Sequence, residues 1–112
     1  MTLKILPIQE ICVLRGQALD IEVPVKNDDG TDANLSGATL EFGLSVDSNK
    51  PYVLEKTPSA VSNILTASIV EADYDTLIKK QYYYSFWVII EGSPTPVARG
   101  FLNIANDSRS IT

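Results

Sequence analysis

The residues that could do chemistry are few, and their spacing matches no catalytic device. The chain contains no histidine, so neither a Ser-His-Asp triad nor a Cys-His pair can form. Asp73 and Asp75 stand two residues apart, but the surrounding sequence supplies no desolvation that would make one carboxyl an acid and the other a base. We therefore expect Asp73 to be solvated or to cap a helical turn. The sequence predicts that the protein is not an enzyme.

A metal or cofactor site is not predicted either. The commonest zinc ligands are cysteine and histidine, and the chain has one cysteine and no histidine. Residues 27–32 (NDDGTD) resemble a calcium loop, but placing Gly30 at the sixth position puts Val25 where the first carboxylate ligand must be. We interpret this run as a plain turn, with a weak adventitious calcium site as the alternative. No glycine-rich phosphate motif occurs, and we predict no cofactor.

Charge and cysteine content exclude further classes. The net charge is −5, the pI is near 4.5, and no stretch of five residues is basic. These values argue against binding to a nucleic-acid backbone. The N-terminal residues lack the apolar run of a signal peptide, and no run is long enough to span a membrane. Cys12 has no partner for an internal disulfide, which fits a reducing cytoplasm as the place of synthesis. It lies in an apolar run, and we expect it to be a small core residue.

Residues 82–90 (YYYSFWVII) are the stretch around which the chain is organised. They hold five of the nine aromatic residues, and the turn signal at 91–94 closes them. Aromatic and β-branched residues favour a packed sheet, so this run predicts a central β-strand.

The remaining chain alternates apolar and polar residues between turns, which is an all-β pattern. Pro24 indicates a strand at a sheet edge or with a bulge, because proline cannot donate to a ladder. We expect turns at 27–30, 35–38 and 47–51, a helical turn at 71–77 and a hairpin linker at 91–96. Further strands are predicted at 8–14, 18–26, 39–46, 52–56, 64–70 and 97–105.

These elements predict an Ig-like antiparallel β-sandwich of about seven strands with one short helical turn. At 112 residues the chain fits one domain. We divide it into an N-terminal segment (1–12) that is a first strand or a docking arm, the sandwich (13–105) and a polar tail (106–112).

Alternation along the central strand also predicts a surface. Tyr82, Tyr84, Phe86, Val88 and Ile90 would face the core. Tyr83, Trp87 and Ile89 would point outward beside Ser85, where large apolar groups require a cover. Residues 3–8 or a neighbouring loop could supply it. The other hypothesis is that Tyr83, Trp87 and Ile89 form an assembly interface. Stacking of the tyrosines on sugars is a further alternative.

Several segments together resemble the N-terminal domain of baseplate upper proteins of tailed bacteriophages. They are residues 13–25 (VLRGQALDIEVPV), 27–30 (NDDG), 35–42 (LSGATLEF), 71–77 (EADYDTL) and 82–86 (YYYSF). The resemblance covers about residues 13–104. It implies an Ig-like sandwich that anchors receptor-binding parts to a virion. The family usually has a glycine before its tyrosine strand, where this chain has Lys80 and Gln81.

From this resemblance we expect a non-enzymatic virion structural protein, made in the host cytoplasm, that docks on a tail, baseplate or fibre assembly. We expect no fibre or receptor-binding domain after Thr112, which adds the expectation of a free-standing accessory or decoration subunit. The expected partners are other virion proteins and further copies of the chain in a trimer or dimer, without nucleic acid or membrane. The alternatives are a capsid decoration (cement) protein and, from another class, a carbohydrate-binding module.

Overall fold

The computed structural model describes residues 3–47 and 49–105, which form eight β-strands and one short 3-10 helix, Glu71–Asp75. The predicted tail, 106–112, lies outside the described residues. The strands are β1 (Gln9–Leu14), β2 (Leu19–Pro24), β3 (Thr39–Ser45), β4 (Tyr52–Lys56), β5 (Ser59–Val61), β6 (Ile64–Ile69), β7 (Gln81–Ile90) and β8 (Ser93–Ala105).

The strands form two sheets, which confirms the predicted all-β sandwich. One sheet has the order β1-β8-β7-β3-β4 and the other the order β2-β6-β5. The orders β3-β7-β8 and β2-β6-β5 match strands C-F-G and B-E-D of an immunoglobulin sandwich. Neighbouring strands are antiparallel except β1, which runs parallel to β8. The sequence pattern predicted about seven strands and did not predict β5, which is short and exposed.

The core lies between the sheets and is centred on the inner face of β7. Tyr82, Tyr84, Phe86 and Val88 are at most 3% exposed, so the predicted alternation is confirmed. The predicted core position of Ile90 is wrong, because this last residue of the strand stands next to the turn and is exposed. Alternation in β2 and β6 is also confirmed. Pro24 lies on an edge strand, as expected, because β2 is the first strand of its sheet.

The hairpin predicted between β7 and β8 is present, but its linker is shorter than the predicted residues 91–96. A two-residue turn, Glu91 and Gly92, joins the strands, and both residues have positive φ (52° and 79°). Positive φ at both positions is the geometry of a type I′ hairpin, whose twist matches that of the strands. Pro94 and Pro96 are therefore strand residues. They are tolerated because β1 pairs only with the second half of β8, from Gly100 onward, and leaves the first half at the edge.

The N-terminal segment bridges the two sheets along one side. The backbone N–H of Lys4 donates to the carbonyl of Lys26 after β2 (2.9 Å), and that of Leu6 donates to the carbonyl of Val97 in β8 (3.0 Å). Leu3 is buried there. The strand that follows, β1, crosses the predicted boundary between residues 12 and 13. The N-terminal segment therefore contributes the first part of a sandwich strand.

Cys12 is exposed, and the expectation of a core cysteine is wrong. Val13 points inward and is buried, so alternation along β1 sends Cys12 to the outward face of the sheet. Its Sγ lies 3.9 Å from the amide nitrogen of Asn103 on β8. The apolar neighbours of Cys12 in the sequence belong to the opposite face of the same strand.

The 3-10 helix closes one end of the sandwich. The Asp73 carboxylate accepts a hydrogen bond from the backbone N–H of Val70 (2.8 Å), which confirms the capping role expected for Asp73. It also forms an ion pair with Lys56 (2.9 Å). Leu77 is fully buried below, and Arg15 donates to its carbonyl (2.6 Å). The helical turn is therefore a structural closure of the sandwich.

Candidate docking surface

The outward-pointing side chains of the five-stranded sheet, called the outer face below, include the three predicted interface residues. Tyr83, Trp87 and Ile89 are all half-buried on β7. Of the two covers considered for them, residues 3–8 are excluded, because that segment lies along the side of the sandwich. Among the described residues, neighbouring strands flank these three side chains, and the loop residues Asn49, Lys50 and Pro51 border the face at one end.

A groove crosses the outer face between Tyr83 and Trp87. These two residues are four positions apart, about 13 Å along the strand, and the small Ser85 stands between them. Gly43, paired with Ser85 on β3, is also small. A row of small residues between rows of large ones leaves a trough with a volume of about 590 Å³. Residues that line it include Tyr52, Tyr83, Ser85, Trp87, Pro96 and Arg99.

Tyr52 of β4 lies across one end of this groove. Its ring packs over Gly43, and its hydroxyl is 2.9 Å from Oγ of Ser85. Ser85 points outward, as predicted, but Tyr52 covers it and leaves it 6% exposed. Tyr52 thus connects the edge strand to the centre of the sheet.

The walls of the groove are aromatic and prolyl side chains. On one side the Tyr83 ring meets that of Phe101 edge to face, with centroids 5.8 Å apart. On the other side Trp87 pairs with Pro96, next to an irregularity that leaves Val97 without a partner on β7. Ile89 shares the outer face but does not line the groove. The structure therefore brings Tyr83 and Trp87 together in one groove and leaves Ile89 beyond it.

The charges on the outer face are segregated. Lys50 and Arg99 line the groove, and no described lining residue is a carboxylate. Beyond Tyr52, a second depression is lined by Glu41, Glu55 and Lys56, and the last of these is paired with Asp73. The charged groups of Lys50, Arg99, Glu41 and Glu55 form no hydrogen bond or ion pair with the described residues. One face thus presents unpaired cations and unpaired carboxylates on opposite sides of Tyr52.

The other residues considered for chemistry have structural roles. Residues 27–30 form a turn in which the Asp29 carboxylate accepts the backbone N–H (3.0 Å) and the hydroxyl of Thr31. The hydroxyl of Thr31, followed by its backbone N–H, lowers the pKa of Asp29 below its usual value of 3.8. Asp73 caps the 3-10 helix. In the described ranges no three His, Cys, Asp or Glu residues are close enough to hold a metal ion.

The sequence did not single out Tyr52 and Arg99 as members of this surface. Tyr52 begins an edge strand and Arg99 lies inside β8, and neither position carries a local signal. Their place on the outer face follows from strand register. That register shifts at Leu44/Ser45 and at Phe86/Trp87.

No protein-family model and no curated protein sequence matches this chain. The helix in the described part of the chain is too short to cross a membrane.

Proposed function

We propose that the protein is a non-enzymatic virion structural module of a tailed bacteriophage, which docks on the tail, baseplate or fibre assembly through its outer face. The observation that supports this most is the half-buried aromatic pair Tyr83 and Trp87, which lines an open groove on the outer face. Large aromatic side chains in a groove are typical of binding hot spots. The virion setting rests on the resemblance to baseplate upper proteins described above.

The groove is suited to a protein partner. Its walls are Tyr83, Trp87 and Pro96, with Phe101 packed against Tyr83, and Lys50 and Arg99 add hydrogen-bond donors to the lining. Aromatic residues and arginine are enriched in protein interfaces. Because the described lining contains no carboxylate, the groove lacks the strongest acceptor for the hydroxyl groups of a neutral sugar.

The test uses purified particles of the phage whose genome encodes this chain. Mass spectrometry should find the protein in particles banded on a density gradient, and electron microscopy of tagged particles should place it on the tail or baseplate. Label over the capsid would instead support the decoration protein. Complete absence from banded particles would overturn the virion proposal.

A carbohydrate-binding module is the second candidate, because the open groove holds tyrosine and tryptophan side chains on which a sugar ring could stack. A glycan array separates the two candidates. Saturable binding to one sugar class, lost in a Trp87→Ala variant, would support the carbohydrate reading. A blank array with retained binding to particles would support the virion module.

A further inference from the structure

One row of outward-pointing residues crosses four strands and carries opposite charges at its two ends. Glu55 on β4 pairs with Gly43 on β3, Gly43 pairs with Ser85 on β7, and Ser85 pairs with Arg99 on β8. Glu55 and Arg99 therefore stand three strand spacings apart, about 14 Å. Both side chains are exposed, and neither has an ion-pair partner among the described residues.

This row is complementary to itself. Consider a second copy placed face to face by a two-fold axis that runs parallel to the strands, midway between β3 and β7. The rotation exchanges the two ends of the row, so Glu55 of each copy faces Arg99 of the other. The Tyr52 ring lies over Gly43 and reaches Ser85, so the two Tyr52 rings of the dimer meet at its centre, beside the axis.

We infer that the outer face binds a second copy of this chain across such a two-fold axis, with Glu55 and Arg99 as the reciprocal ion pairs. This inference rests on the proposed function and names the partner of the outer face in the assembly, which is another copy of this chain. A foreign partner would need no balance of charge about the centre of the face. A second copy requires it, because every contact in a two-fold interface occurs twice.

The neighbouring rows agree with this arrangement. Glu41 pairs with Trp87 within one copy, so the rotation brings Trp87 over Glu41 of the other copy, where the indole N–H meets a carboxylate acceptor. On the opposite side, Phe101 of one copy lies over the backbone of Tyr52 in the other, beside the ring that extends toward the axis.

The overlapping area is that of a weak, reversible dimer. An axis between β3 and β7 overlaps four of the five strands, about 19 Å across, and the paired region extends about 25 Å along the strands, which gives about 480 Å² per copy. Two copies would bury about 960 Å², which is below the range for stable interfaces and typical of weak, transient ones. We therefore expect association that depends on protein concentration.

Charge reversal tests this arrangement directly. In Glu55→Arg each reciprocal contact becomes Arg against Arg, and in Arg99→Glu it becomes Glu against Glu. Sedimentation equilibrium should show that either variant alone has a dimer dissociation constant raised about tenfold or more. An equimolar mixture of the two variants restores both attractive contacts in a heterodimer, so mixing should return the constant to near the wild-type value.

Two matched variants control for net charge. Glu22→Arg on β2 and Lys80→Glu before β7 make the same charge changes at exposed positions away from the outer face, and both should dimerise as the wild type does. A strictly monomeric wild type, or variants that dimerise unchanged, would overturn the inference. Particle binding by a monomeric protein would overturn the dimer and leave the proposed function standing. A dimer that mixing rescues, in a protein missing from particles, would support the dimer and overturn the virion proposal.

Discussion

The ring of Tyr52 lies so close to Gly43 that a Cβ at position 43 would come within 2.5 Å of three ring carbons. Only glycine lets the tyrosine cross β3 and reach Ser85 on the next strand, where the two hydroxyls are 2.9 Å apart. One side chain therefore links three adjacent strands. It also separates the basic groove from the acidic depression.

Gly43→Ala should displace the Tyr52 ring and break its hydrogen bond to Ser85. Because the ring lies at the end of a flexible side chain, we expect a moderate loss of about 1 kcal/mol in the free energy of unfolding. Urea denaturation measures this. The matched control is the same change in a Tyr52→Ala background, where the obstacle is gone and Gly43→Ala should cost little. An equal loss in both backgrounds would show that Tyr52 is not the reason for the glycine.

Gly100→Ala should be more severe. A Cβ at position 100 would overlap the backbone carbonyl of Gln9 at the start of β1, and backbone cannot rotate away as a side chain can. We expect a loss of roughly 2–3 kcal/mol, with β1 displaced from β8. Hydrogen exchange gives the specific readout. Backbone amides in the β1–β8 ladder should lose protection, whereas those between β3 and β7 keep it. Uniform protection in the variant would contradict the close approach.

Two buried tyrosines should make the fold sensitive to alkali. Burial raises the pKa of Tyr84 and of Tyr74 above the usual 10.0, and in Tyr74 the nearby Arg15 opposes the effect. The unfolded chain therefore loses these protons at lower pH than the folded chain. The stability that the neutral tyrosines contribute is present below pH 10 and is lost as the pH rises through the higher folded pKa.

Urea midpoints measured between pH 8 and 11 test this dependence. The midpoint should fall as the pH passes about 10. Tyr74→Phe removes one titrating group together with the hydrogen bond that its hydroxyl donates to Gln17 (2.7 Å), so this variant should be less stable at pH 8 and should lose less stability above pH 10. A midpoint that does not change up to pH 11 would contradict the prediction.

Side-chain alternation was enough to predict the core and the orientation of β7. Each strand with one buried face reports which residues point inward, and this holds for Tyr82 to Val88 and for β2. It fails for Cys12, because a run of apolar residues in an edge strand does not reveal which face each one occupies. It also fails at Pro94, since pairing partners outside the strand decide whether proline is tolerated.

The surface could be predicted only one strand at a time. Tyr83 and Trp87 follow from the alternation within β7. Tyr52, Gly43 and Arg99 become their neighbours through pairing between strands that are distant in the sequence. The two register shifts along those pairings have no local signature, so the groove and its charges emerge only in the folded chain.

Trp87→Ala should weaken docking more than it weakens the fold. Trp87 is half-buried on the outer face, so its loss should cost the isolated protein less than about 1 kcal/mol of unfolding free energy. At the centre of an interface, removing a tryptophan typically costs roughly 2 kcal/mol or more, which raises the dissociation constant about thirtyfold. Sedimentation for the dimer and cosedimentation with purified particles measure the two affinities.

The matched control is Ile78→Ala, which removes a large apolar side chain that is 79% exposed in the loop beyond the 3-10 helix, away from the outer face. It should leave both affinities unchanged, since Ile78 lies outside the proposed contact. If Trp87→Ala instead unfolds at low temperature while the surviving folded protein binds with wild-type affinity, Trp87 belongs to the stability of the sandwich. The docking surface would then have to lie on another part of the molecule.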